Sequence, residues 1–160
     1  MKTLSSVIGA AILTAAFGSS SFANSPDVYV VNFRNNQDAN SQQLDSQLAS
    51  AMAIAGVNAE EVIIDTSTAA KWEKGAHEAF DRDIVPVFNK WVGLPGFAAV
   101  VDAKSKRVIG CVNSTFSANE MAREIRQMAS KAQGSAYLSN ASVSSKTTRC
   151  PAAHNVDHGG

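Results

Sequence analysis

The chain has 160 residues, two cysteines and a balanced charge, with 14 Lys plus Arg against 14 Asp plus Glu. A nucleic-acid binder usually carries a basic stripe, and the nearest approach here, Lys104, Lys106 and Arg107, reads as a solvated hairpin turn. Nucleic acid is therefore not an expected partner.

At the start, Lys2 precedes an apolar run from Val7 to Phe17, then the small polar stretch Gly18 to Ser21 and the tripeptide Ser21-Phe22-Ala23. That charged, apolar and small-residue order predicts a secretory signal over residues 1–23, cleaved after Ala23. The run falls short of the roughly 20 apolar residues that span a bilayer. No later segment reaches that length, so no membrane span is expected after cleavage. The alanine-rich apolar region has a bacterial look, and the expected location is periplasmic or secreted.

The first strand is expected over Val28 to Phe33, an almost continuous apolar and β-branched run of the kind covered on both faces. A polar loop, Arg34 to Asn40, follows it. A helix then begins near Ser41, with Leu44, Leu48, Met52 and Ala55 on one face, and Gly56 ends it. Glu61 to Asp65 predicts a second strand, parallel to the first because a helical crossover joins them. In the next helix Trp72, Ala76, Ala79 and Phe80 are expected to line the inner face, and Pro86 to break or kink it. Phe97 to Val101 and Arg107 to Val112 predict an antiparallel hairpin. Ser117 and Glu120 form a Ser-x-x-Glu capping box that opens a last helix, with Met121, Ile125 and Met128 facing inward. The resulting order β-α-β-α-β-β-α implies an α/β fold with a four-stranded mixed sheet and helices on both faces. The domain is expected over residues 24–133, with 134–160 a disordered tail, rich in small and polar residues.

Cys111 and Cys150 are an even pair, and an oxidising compartment favours their bridging. Such a bridge would pin the tail to the domain. Closing a loop of about 40 residues is worth roughly 3 to 4 kcal/mol in the chain-entropy model. The alternative is one buried and one exposed thiol.

The stretch Phe88-Asn89-Lys90-Trp91-Val92-Gly93-Leu94-Pro95-Gly96-Phe97-Ala98-Ala99-Val100-Val101-Asp102, with Arg107 to Gly110 and the capped last helix, resembles the thioredoxin-like family from Val28 to about Ala132. The resemblance implies a three-layer fold, a cis Leu94-Pro95 bond, and a ledge beside that proline where an extended peptide is held. Arg34, Asn35, Asn36, Trp91, Leu94 and Pro95 are the positions this places at a partner. Whether Trp91 and Phe97 are exposed there or belong to the core is open. The chain departs from the redox members: Asn35 to Ser41, where they carry a Cys-x-x-Cys pair at a helix N-terminus, holds no cysteine. Disulfide exchange by the usual route is thereby excluded.

The expected function is a non-redox, exported binding or accessory protein of the cell envelope, acting on another exported protein, in secretion or conjugative pilus assembly. A thiol-disulfide oxidoreductase using Cys111 and Cys150 as a displaced pair is the alternative. No cofactor or metal is expected: His77 lies on a polar helix face, and His154, Asp157 and His158 sit in a tail that cannot hold ligands in fixed geometry. No nucleophile elbow or Gly-rich phosphate loop occurs.

Overall fold

The computed structural model describes residues 25–134 and 148–153. The predicted leader, and the tail histidines His154 and His158, lie outside these residues. The elements are β1 (Val28–Arg34), α1 (Ala39–Ala55), β2 (Ala59–Asp65), α2 (Ala69–Asp81), α3 (Val85–Trp91), β3 (Phe97–Asp102), β4 (Val108–Asn113) and α4 (Ala118–Ala132). They form an α/β fold around one four-stranded mixed sheet of order β2-β1-β3-β4. β1 and β2 are parallel; β1 with β3, and β3 with β4, are antiparallel.

Strand alternation divides β1 between two cores. Val28 and Val30 pack with Leu44 and Leu48 of α1 and Met121 and Ile125 of α4. Tyr29, Val31 and Phe33 pack on the other face with Val62, Ile64, Ala79, Phe88 and Trp91. Both faces of β1 are thus covered over Val28 to Val31, which is why that stretch is apolar without alternation. Helix ends follow local chemistry. Asp38 caps α1 by accepting the Ser41 N–H at 2.7 Å, and Gly56 closes it in the left-handed region at φ 61°. Ser117 and Glu120 form the complete reciprocal capping box of α4.

Three expectations are corrected. Among the described residues there is no cis peptide bond, so Leu94–Pro95 is trans. Gly93 (φ 89°) and Gly96 (φ 92°) flank that bond and supply the chain reversal themselves. Secondly, α2 buries only part of its expected face: Ala79 is buried and Ala76 packs against the core, but Phe80 is 74% and Trp72 46% exposed, and Gly75 faces the sheet instead. Gly75 sets this orientation by close approach, since a Cβ there would lie 3.4 Å from the Ile64 Cα. Thirdly, Pro86 does not sit inside the second helix. α2 has ended at Asp81, and Pro86 lies in the first turn of the separate α3, where its missing N–H leaves no bond unmade.

The β3–β4 turn is less solvated than its lysines suggest. Lys106, at φ 60°, donates from Nζ to the Arg82 carbonyl at 2.8 Å and lies 4.9 Å from the centre of the Tyr29 ring. Arg82 in turn pairs with Glu60 and Glu78. Burial works against its charge, but the two carboxylates outweigh it and raise its pKa further.

Cys111 and Cys150 are disulfide-bonded. Residues 148–153 lie against the domain: the Cys111 N–H donates to the Thr148 carbonyl at 2.8 Å, and the Trp91 indole Nε1–H to the Pro151 carbonyl at 3.1 Å.

Candidate functional site

Three loops meet where the parallel strands end, at the carboxyl edge that open α/β sheets use for ligands. The end of β1 and the α3–β3 loop are joined by the Gly96 N–H, which donates to the Phe33 carbonyl at 2.8 Å. Gly96 has no room for a side chain, because a Cβ would stand 3.0 Å from the Asn40 Cβ and 3.2 Å from Asp38 Oδ2. The β1–α1 and β2–α2 loops are joined by the Asn36 N–H, which donates to Ser67 Oγ at 2.8 Å, and by the Thr66 N–H, which donates to the Arg34 carbonyl at 3.1 Å. Inside the first loop the Asn35 N–H donates to Ser41 Oγ at 3.2 Å, and Asn35 Oδ1 accepts from the Gln37 N–H at 2.9 Å. The backbone here is held from both sides.

The α1 N-terminus is filled by the chain itself. Both the Ser41 N–H and the Ser41 hydroxyl donate to Asp38 Oδ2, at 2.7 and 2.9 Å. A carboxylate suits the positive end of the helix.

Of the positions expected at a partner, Arg34, Asn35, Asn36, Leu94 and Pro95 come together around these loops. Asn36 and Pro95 are exposed; Arg34, Asn35 and Leu94 are half-buried. Trp91 is not presented there. It is 1% exposed, edge-on to Phe33 and Phe97 at 6.0 and 5.7 Å between ring centres. Phe97 stacks on Phe33 at 5.0 Å, so both rings belong to the core.

A charged cluster adjoins the loops, and the sequence reading missed it. Arg34 and Asp65 end their strands side by side, and Arg34 Nη2 lies 3.1 Å from Asp45 Oδ2. Asp65 accepts the Ser67 N–H at 2.8 Å, the Ser67 hydroxyl, and Lys71 Nζ at 3.0 Å. Burial alone would raise its pKa; the Ser67 hydroxyl and N–H and the Lys71 ammonium outweigh this and hold it below the ordinary carboxylate value. Two residues back on the same face of β1, Asn32 Nδ2 donates to Asp45 Oδ1 and Glu61 Oε1 at 2.9 and 3.0 Å. Asn32 Oδ1 and Arg34 Nε are buried without a hydrogen-bond partner among the described residues. The available signal was Asn32 itself, a polar residue inside the apolar run Val28 to Phe33.

Cys111 and Cys150 lie elsewhere, at β4. Cys111 pairs with Ala99 in the sheet and is 3% exposed. His77 is exposed on α2, and no group of three or more metal-ligating side chains occurs among the described residues. No helix there is long and apolar enough to cross a membrane.

Family models, curated proteins and solved structures were each compared with the chain, and none matches it.

Proposed function

We propose that this chain is a non-redox, thioredoxin-like exported protein that binds another exported or envelope protein, as an accessory factor in secretion or conjugative pilus assembly. The fold supports the reading through its parallel β1-α1-β2 unit followed by an antiparallel hairpin and a capped helix. The observation that carries it is the braced triple-loop end of the sheet, with the Asp38 carboxylate capping the α1 N-terminus. Asn36 and Pro95 are exposed at that end, with Leu94 half-buried beside them. A backbone fixed in advance loses little entropy when an extended segment is laid beside it. The leader-like residues 1–23 and the disulfide support an oxidising compartment.

The oxidoreductase alternative gains no support from the geometry. A reactive thiol is exposed and sits by a cationic group or a helix N-terminus, whereas Cys111 is buried within a strand.

Site-specific photo-crosslinking tests the proposal. A photoreactive residue at Asn36 or Leu94 should trap one partner protein in the cell envelope, and the same residue at Ile54, exposed on α1, should not. Equal trapping from both places, or reduction of insulin disulfides by the purified chain above the uncatalysed rate, overturns it.

A further inference from the structure

We propose that the Cys111–Cys150 disulfide is a redox latch: opening it releases residues 148–153 from the sheet while the domain stays folded. Contacts on both sides of Arg149 hold this strap. They are the bond itself, the Cys111 N–H to the Thr148 carbonyl at 2.8 Å, the Trp91 indole to the Pro151 carbonyl at 3.1 Å, and the packing of Cys150 beside the α2–α3 core. Gly110 permits the approach, since a Cβ there would lie 3.2 Å from the Thr148 carbonyl oxygen.

The strap contributes little to either core. Arg149, Pro151 and Ala152 are exposed, Thr148 and Ala153 are half-buried, and Cys150 packs against the core. The large buried groups, Trp91, Phe33, Phe116, Leu44 and Leu48 among them, come from the helices, the strands and the turn before α4. Losing the strap therefore removes Cys150 from the edge of one core and leaves these large side chains in place.

The chemistry balances with a dithiol reductant. Its thiolate attacks the sulfur of Cys150, the less buried of the two. A mixed disulfide forms at Cys150, and Cys111 leaves as a thiolate that takes up a proton. The second thiol of the reductant then closes on the mixed disulfide and frees Cys150. Two electrons pass from the dithiol, which becomes a cyclic disulfide, to the bridge. Once the bond is open, Thr148 must return to β4 without covalent help. Chain entropy alone then lowers the docked population roughly 100-fold. The Trp91 indole loses its acceptor, and the Cys111 amide loses Thr148.

Hydrogen exchange on the full chain, with and without dithiothreitol, reads this directly. Reduction should speed exchange of the Cys111 amide and the Trp91 indole N–H about 100-fold, and leave the amides of Val30 and Val100 in the central strands unchanged. C150S should behave like the reduced chain without any reductant. Unchanged exchange at Cys111 and Trp91 overturns the latch. So does faster exchange at Val30 and Val100 in step with them, because the bridge would then staple the whole domain.

Discussion

Arg34 and Asp65 are partners on the last rung of the β1–β2 ladder, and Arg34 Nη1 lies 3.8 Å from Asp65 Oδ2. Asp65 is the more committed of the two, since Ser67 and Lys71 bond the same carboxylate. Its folded-state pKa lies below the unfolded value of about 3.9. The carboxylate therefore adds stability that is complete above that value and is lost as pH falls through the folded pKa. Asp65→Asn should cost about 2 kcal/mol at neutral pH, and the gap between variant and parent should narrow below about pH 4. Urea unfolding across the acid range measures it, and a gap that stays constant down to about pH 2 would refute the assignment.

Gly96 makes a sharper local claim. Its φ of 92° disfavours any side chain, and the Asn40 Cβ stands only 3.0 Å from where a methyl would go. Gly96→Ala should destabilise by about 2 to 3 kcal/mol through both effects. Gly134→Ala is the control, because its φ is 69° but nothing lies within 4 Å of the added methyl. Strain alone should cost it about 1 kcal/mol. Equal losses would show that crowding at Gly96 does not matter.

The two phenylalanines at positions 80 and 116 should part company. Phe80 is 74% exposed and Phe116 is 1% exposed. Phe116→Ala is expected to lose about 3 to 5 kcal/mol through cavity formation, and Phe80→Ala to stay within about 0.5 kcal/mol. Thermal unfolding of the pair checks the corrected orientation of α2. A large loss at Phe80 would restore the stripe that spacing suggested.

Crowding between Gly110 and Met128 should appear as non-additivity. A Cβ at position 110 would stand 2.7 Å from the Met128 sulfur, and Met128 is itself buried. Gly110→Ala alone should cost about 1 to 3 kcal/mol. Combined with Met128→Ala, the total should fall short of the sum by about 1 kcal/mol, because the shorter side chain removes the clash. Strict additivity in the double-mutant cycle would exclude the contact.

How far the site could be read from the sequence differs residue by residue. Arg34, Asn35 and Asn36 announce a loop because polar turn formers end an apolar run, and the structure places them at the expected end of β1. Leu94 and Pro95 also fall beside that loop, yet the trans bond and the Gly96–Phe33 closure could not be inferred from a proline and two glycines. Trp91 looks alike in sequence whether it faces a partner or a core. Its burial depends on Phe33, Phe97 and Pro151, all brought to it by the fold. The Asp65, Ser67 and Lys71 cluster was legible only in part, because its link to Arg34 and Asn36 joins two loops across the sheet.

By itself the sequence determined whatever rests on near neighbours: the apolar run of β1, the Gly56 stop, the Ser117–Glu120 capping box and the order of the four strands, but not the division of the second helical stretch into α2 and α3. Each depends on contacts within about one turn or on the alternation of a strand. Tertiary structure alone decided which stripe of α2 is buried, where Trp91 points, and that Pro95 needs no cis bond. Those outcomes turn on how closely distant segments can approach, as Gly75 does to Ile64 and Gly96 to Asn40, and shape matching of that kind leaves no periodic trace along the chain.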